Sequence, residues 1–415
     1  MFKLNFNWKK VAEIDETGFP GFAGKTEPLS ETPAEEVAEE GSTFKVPLTP
    51  ILNIEAHPNA DRLEIATVYG FQVIVKKDSH KVGDLMIYVP IDSLLPQNLE
   101  NSLFPPDAKV KLTKHRVKQI RLRKIASQGM LISPEEIKAV FSFLPGDLER
   151  DYKEELQIKK YQPPAPKFQS SVSGGRKVRA LENPSFHKYG GLNNIKWFPT
   201  LFKDDELVVI QEKIHGTNAR AGKLPFVANT IWKKIKKMFG AVPAFEFCYG
   251  SNNVQLQERS GYTGFYGEDI YGKVFKSIDI ESKLKDGETV FGEIYGAGIQ
   301  KGYNYGLKEG EQKFILFDVK VLDYEGKQRW LSPDEVKVFA LERGIHMVPE
   351  AYRGPFSLAL AKELTKGDSI LEPSQKIREG VVVKSLHNYS DERGNNKALK
   401  VISEVYLDGD QTDFH

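Results

Sequence analysis

A single cysteine, Cys248, stands in a chain of 415 residues. Disulfide frameworks need pairs and a cysteine-based zinc knuckle needs several, so both are excluded. No apolar run approaches the ~18–20 residues that cross a bilayer as a helix. The opening stretch Met1–Lys10 interleaves Phe, Leu and Trp with Lys and Asn, and lacks the unbroken apolar core of a signal peptide. Net charge is almost absent as well: 58 Lys and Arg against 57 Asp and Glu leave +1. Secreted, membrane-spanning and disulfide-stapled classes drop out. The expectation is an intracellular, cytoplasmic protein with no membrane partner and no sign of an obligate protein partner. The remaining composition, 40% hydrophobic and 28% charged, is that of folded domains, and the length predicts two of them.

Composition divides the chain into four parts. Residues 1–43 form an acidic, weakly ordered segment: Thr26–Gly41 carries many Glu, two Pro, no Lys or Arg and few large apolar side chains, too little to offset its ordering entropy. It reads as a solvated linker or as an internal mimic of nucleic acid lying on a basic surface. Residues 44–150 read as short strands, Val46–Ala56, Leu63–Tyr69, Phe71–Lys76 and Leu85–Pro90, with turns at His57–Asp61 and Lys81–Asp84. A small OB-type barrel is the natural candidate. Residues 151–185 form a linker centred on the Pro-then-Ser/Gly run Tyr161–Lys177. Residues 186–415 hold strand-like runs at Glu206–Gln211, Ala244–Tyr249, Thr289–Tyr295, Lys313–Val321, Val381–Ser385 and Ala398–Ile402. A helix is predicted over Ser332–Arg343, with Ser as cap and Pro at its first position. The fold class expected is α+β: a barrel followed by antiparallel sheets with flanking helices.

Charge is segregated. Lys109, Lys111, Lys114, Arg116, Lys118, Arg121, Arg123 and Lys124 occur with no acid among them, interleaved with Val, Leu and Ile. Val117–Arg123 alternates as a strand would. Such a run is either a solvated face or a stripe that binds nucleic-acid phosphates by releasing counterions. A second basic stretch, Asn229–Gly240, places Trp232, Ile235, Met238 and Phe239 at helical spacing among four lysines. It either packs on its domain or grips a duplex.

The most informative stretch is Glu206–Gly222, ELVVIQEKIHGTNARAG. An apolar strand, Leu207–Ile210, runs into Glu212 and Lys213, then a turn at Ile214-His215-Gly216. An unperturbed lysine is neutral about 0.04% of the time at pH 7. Burial, a neighbouring cation or a metal would lower its pKa and free the amine as a nucleophile. Gly216 would let a ligand phosphate approach the backbone. The spacing K-x-x-G alone occurs by chance in many proteins.

Order adds what spacing lacks. EKIHGTN resembles the nucleophile motif of the covalent nucleotidyltransferase superfamily of ligases and capping enzymes, in the K-x-H-G form of its RNA-ligase branch. VFGEIYGAGIQ at 290–300, KFILFDVKV at 313–321, REGVVVK at 378–384 and NKALKVIS at 396–403 resemble the later motifs in their usual sequence. EAHPNADRLEIATVYGFQVIVKKD, KVGDLMIYVPIDSLLP and GLNNIKWFPTLF resemble the N-terminal module and adjoining segment of ATP-dependent RNA ligases of the Deinococcus and Naegleria type. The resemblance spans Phe44–Leu407. The few residues after the last motif leave this sequence no room for the C-terminal OB domain of DNA ligases.

The resemblance implies ATP and Mg²⁺ (or Mn²⁺) as cofactors and RNA or an RNA-containing duplex as partner. It implies Lys213 as the nucleophile on the α-phosphate of ATP, Glu212 near the adenine, and Phe317 stacked on the base, with Phe314 as rival. Glu293 would accept from the ribose as an ordinary ionised carboxylate. Glu379, with Glu293, would hold a metal through water, and Lys384 and Lys400 would neutralise phosphate charge, with Lys397 beside them. His215 and Asn218 would position phosphate. Ser251 and Asn252 stand where this motif usually carries Ser-Arg, so the arginine is missing. The activity implied is sealing of 3′-OH/5′-phosphate breaks, in particular duplex nicks, through a lysyl–AMP intermediate. The alternatives are a DNA ligase or capping-type nucleotidyltransferase, or an RNA-binding or RNA-end-sensing protein with an inactive core.

Overall fold

The computed structural model describes residues 44–105, 111–161, 183–228, 235, 238, 243–256, 268–322, 326–387, 389–390 and 395–408. The acidic segment 1–43, Lys109, the tether at 162–182, and all of 229–240 except Ile235 and Met238 lie outside the described residues. Among the described residues no helix is long and apolar enough to cross a membrane.

The first module is built from short strands around two apolar clusters. The stretch expected as one strand from Val46 breaks where the Ile51 amide turns to Asp84 O (2.9 Å), giving β1 (Leu48–Pro50) and β2 (Asn53–Ala56). β3 (Leu63–Val68) and β4 (Phe71–Lys76) form a hairpin, and β2-β3-β4 is a meander. β5 (Leu85–Val89) is flanked by β1 and by β9 (Met130–Ile132). Val46, Leu48, Ile87, Val89, Leu99 and Ile132 fill one cluster, and Ala66, Val68, Phe71, Val73, Met86 and Tyr88 the other. Strands of period two present one residue in two to each core. Part of the stretch expected as linker belongs to this module. Tyr152, Leu156 and Ile158 join the first cluster, and β10 (Lys159–Lys160) pairs with β6 (Ser93–Leu94).

The basic stripe does not form the alternating strand expected over Val117–Arg123. Only β7 (Ile120–Leu122) is extended, and it turns back into β8 (Ile125–Ser127) through Arg123 and Lys124, both left-handed at φ 47° and 77°. That is what a two-residue hairpin demands of its turn.

The second domain has two sheets. One takes the order β11-β21-β20-β12-β19: β11 (Asn193–Asn194), β12 (Leu207–Lys213), β19 (Glu350–Pro355), β20 (Gly380–Ser385) and β21 (Ala398–Ile402). The other takes the order β15-β14-β13-β16-β17-β18: β13 (Thr217–Pro225), β14 (Phe245–Ser251), β15 (Gln255–Leu256), β16 (Glu288–Gly296), β17 (Gln312–Leu322) and β18 (Gln328–Trp330). Helices Ile270–Ser277 and Pro333–Arg343 cover the six-stranded sheet through Val274, Phe275, Val336 and Phe339. The second helix starts as its sequence predicts, with Ser332 and Glu335 forming a reciprocal capping box. On β20, Val381 and Val383 enter one core while Val382 faces the other sheet beside Phe291 and Tyr389.

The short turn Ile195–Trp197 joins the modules. Trp197 packs edge-on against Tyr69, Phe71 and Tyr88, with ring centroids 4.9, 5.0 and 5.5 Å away. Gly70 donates to Lys196 O (2.7 Å), and a Cβ at Gly70 would lie 2.9 Å from Lys196 Cα, so only glycine permits the approach. Replacing a packed Trp with Ala costs about 3–5 kcal/mol. Trp197→Ala should therefore split a single calorimetric unfolding transition into two as the modules lose their shared packing. A lowered but still single transition would count against the joint.

Candidate active site

The two sheets of the second domain face each other across a cavity. β12 contributes Gln211, Glu212 and Lys213, β20 Val382 and Lys384, and β21 Lys400. The opposite wall carries Asn218, Glu293 and Phe317, and Tyr189–Leu192 with Asn252 close the rim. Residues from motifs almost two hundred positions apart in sequence thus meet because antiparallel pairing aligns them: Lys213 opposes Gly380, and Asn218 opposes Glu293.

The Lys213 ammonium lies 2.6 Å from Glu379 Oε1. Burial alone would lower the amine's pKa, but the carboxylates of Glu379 and then Glu293 outweigh it, and the pKa is raised. The expected depression is absent; the ligand-free site holds its lysine protonated. Burial would likewise raise Glu379, yet Lys213 and His215 hold it down at about 2. Glu293 goes the other way. Burial, with the Glu379 charge adding to it and Lys213 opposing, lifts it to about 8. It is a neutral acid at pH 7 in the ligand-free protein, not the ordinary carboxylate expected. Two carboxyls beside one ammonium divide the work, one ionised and one not. Burial and repulsion from Lys213 bring Lys400 down to about 8.

Several polar atoms along the cavity have no hydrogen-bond partner. They are Gln211 Oε1, Glu212 Oε1 and Asn218 Oδ1. Glu212 is fixed by its other oxygen, which accepts from the Ile370 and Leu371 amides (2.8 and 2.9 Å). Glu379 Oε2 is also buried without a hydrogen bond, 3.4 Å from His215 Nδ1. His215 is enclosed by Tyr303, Tyr406 and Glu379, and its amide donates to the Tyr305 hydroxyl (2.8 Å). An acid partner that the sequence did not reveal is therefore present.

Other expected residues sit differently. Lys384 lines the cavity but is only 2% exposed, and it bonds Asp318 Oδ1 (2.9 Å) and Phe317 O (2.6 Å). Lys397 is paired with Glu206 (2.7 Å) and is not among the lining residues. Ser251 Oγ accepts from the Val254 amide (3.2 Å), a turn contact. Asn252 does reach the cavity, and it receives the Tyr189 amide on Oδ1 (2.8 Å). Gly216 has a packing reason of its own: a Cβ there would lie 2.3 Å from Ile294 O and 2.7 Å from Glu293 Cγ. Phe317 lines the cavity while its rival Phe314 is buried in the helix-covered core.

In the first module, Arg116 pairs with Asp92 and stacks on Tyr161, and Arg121 pairs with Asp408. Lys111, Lys114, Lys118, Arg123 and Lys124 are exposed and form no ion pair among the described residues. Sequence reasoning missed Asp318 as a node. It accepts from Tyr189 and Tyr389 hydroxyls (2.7 and 2.6 Å) as well as from Lys384. The aromatic Tyr189 before two glycines was the available signal; nothing comparable marked Tyr389.

Among the described residues no three His, Cys, Asp or Glu side chains cluster as metal ligands. Two carboxyls beside the cavity, one with an unpartnered oxygen, suit instead a cation that keeps most of its waters.

Residues 206–402 match the family model of RNA ligases, and residues 46–134 match that of an OB-fold domain. The architecture is similar to that of Naegleria gruberi RNA ligase. A variant of that enzyme with ATP and Mn gives a TM-score of 0.65 at 20% identity, covering 88% of this chain and 98% of that one. The same enzyme with PPi gives 0.65 at 20%, covering 88% and 97%. A search of curated proteins gives no match. The fold is an OB-fold domain followed by a two-sheet ligase domain. Over residues 206–402 the second domain is thus similar to the RNA ligase family.

Glu293 sets a pH dependence. Its pKa rises from 4.5 unfolded to about 8 folded, so its contribution to stability is complete below pH 4.5 and is lost as pH climbs through 8. Glu379 works only below 4.5, where falling pH removes its contribution. Ligand-free Glu293→Gln should gain on the unsubstituted protein by up to about 1.4 kcal/mol per pH unit across that window. Urea melts at several pH values would reveal it; parallel curves for the two proteins would contradict the assignment.

Proposed function

We propose that this chain is an ATP-dependent RNA ligase that seals 3′-OH/5′-phosphate breaks, in particular nicks in duplexes, through a lysyl–AMP intermediate on Lys213. The observation that carries the reading is the partly buried Lys213 amine at a cavity wall, paired with Glu379, in a cavity that Lys384 and Lys400 also line. In the first step Lys213 Nζ forms a bond to the α-phosphorus of ATP, the bridging P–O bond breaks, and pyrophosphate leaves. AMP then passes to the RNA 5′-phosphate, and finally the 3′-hydroxyl displaces AMP. Each step is an in-line displacement at phosphorus, which positioning and charge neutralisation accelerate.

The chain's own residues account for the requirements. Lys400, close to its neutral range, supplies positive charge where phosphate charge builds. Lys384 is held by Asp318, so its part is a fixed positive wall rather than a mobile phosphate ligand. The unpartnered Glu212 Oε1 suits the exocyclic amine of adenine; guanine presents an acceptor, O6, at the corresponding position. Phe317 supplies the stacking face. Glu379 and Glu293 would hold a divalent cation through water, which when bound opposes the lysine's protonation and the phosphate's charge. Glu379 must release its grip on Lys213 before the amine can attack, because a paired ammonium has no free electron pair.

The OB-fold domain would hold the broken strand through Lys111, Lys114, Lys118, Arg123 and Lys124, giving affinity with little sequence preference. Arg116 and Arg121 are excluded from that set by their acidic partners. Naegleria gruberi RNA ligase, solved with ATP and Mn and with PPi, supports the choice of nucleotide and metal.

Incubation with Mg²⁺ and α-labelled ATP, followed by denaturing electrophoresis, should label the protein. Lys213→Ala should abolish the label, and α-labelled GTP should give none. An unlabelled wild-type protein would favour the RNA-end-sensing alternative. Reversing the charges of Lys111, Lys114, Lys118 and Lys124 should weaken nick sealing and flatten its salt dependence by up to about 0.7–0.9 in log–log slope for each phosphate no longer neutralised, leaving adenylylation nearly intact. An equal fall in adenylylation would make the stripe structural.

A further inference from the structure

We propose that the last described helix, Glu404–Asp408, is a coupling strut. It sets the Glu379–His215 side of the nucleophile according to how the OB-fold domain is seated, and Arg121 is its clasp. The proposal rests on the adenylylation reading given above and deepens it.

The helix has only five residues, too few to hold its own shape in water, so its position is dictated by what it touches. Its outer side touches the OB-fold domain. Arg121 Nε donates to Asp408 Oδ2 (2.7 Å), and Nη2 joins it on the same oxygen. Gln119 Nε2 donates to Asp408 Oδ1 (2.8 Å) and approaches Glu404 O (3.5 Å). Lys196, from the turn that joins the modules, stands 3.8 Å from Glu404 Oε1.

Its inner side touches the site. The preceding residue, Ser403, donates its amide to Glu379 O (2.9 Å) and accepts from the Leu407 amide (3.1 Å). Tyr406, 1% exposed, places its hydroxyl 3.3 Å from His215 Nε2, and His215 Nδ1 is 3.4 Å from Glu379 Oε2. Glu379 is thus held by the strut at its backbone and, through His215, at its carboxylate. That same carboxylate holds Lys213. None of Gln119, Arg121, Tyr406 or Asp408 lines the cavity, so the strut acts on position and not on nucleotide contact.

The test uses the full chain, single-turnover labelling with α-labelled ATP, and hydrogen exchange at the Leu407 and His215 amides. R121D should slow labelling roughly fivefold, the scale of a partly exposed ion pair with two donors on one oxygen, with KM for ATP unchanged. D408R should do the same, and both should speed exchange at the two amides. The double variant R121D/D408R should restore both readouts to within about twofold, because the swapped pair reforms the clasp. R121Q serves if R121D does not fold. Tyr406→Phe, which keeps the ring and removes the hydroxyl, should slow labelling without altering exchange at Leu407.

If R121D leaves labelling and exchange unchanged and lowers only RNA sealing, with no rescue by D408R, then Arg121 is a phosphate contact and the strut is refuted. If the wild-type protein takes no label at all, the adenylylation reading fails separately. Exchange then decides the strut: acceleration at His215 that the double variant reverses supports it, and unchanged exchange overturns it.

Discussion

One ion pair organises the ligase domain. Lys213 ends β12 and Glu379 immediately precedes the neighbouring β20, so the sheet's own pairing brings the two together. Removing two charges from water is costly unless each satisfies the other. The surrounding groups respond to that arrangement. Burial, with the Glu379 charge adding to it, keeps Glu293 neutral, and burial with repulsion from Lys213 brings Lys400 down. The ligand-free site is therefore in a closed electrostatic state. Its lysine is held protonated and its second acid is neutral.

Much of this was legible in the sequence, for identifiable reasons. Strands that alternate apolar with polar residues were readable because period two follows from backbone geometry, as on β20, where valines at 381 and 383 face one core and Val382 the other. The helix capped by Ser332 was readable because its cap chemistry is local. Paired strands bring Lys213, Glu293 and Lys400 to one cavity, with Glu379 against Lys213.

What was not legible depends on partners that are remote in sequence. Lys397 and Lys384 look alike as cations, yet Glu206 captures one outside the cavity and Asp318 fixes the other in its wall. Arg121 looks like its neighbours in a basic run until Asp408, 287 positions away, claims it. Gly216 looks like a phosphate loop, but the crowding of Ile294 and Glu293 explains it. The direction of each pKa shift was likewise out of reach, since it turns on the balance of burial against neighbours that only the folded chain defines.

The Asp318 node has a further bearing on how the cavity would receive a ligand. Two phenols and an ammonium, from segments remote in sequence from Asp318, converge on a single carboxylate. The rim at Tyr189, the aromatic at Phe317 and the wall at Lys384 are all anchored through it. This part of the cavity comes preassembled: the side chains tied to Asp318 have already surrendered rotamer freedom during folding, so less ordering is left to oppose a bound ligand. An incoming molecule would therefore meet a rim and a cationic wall that folding has already set in place.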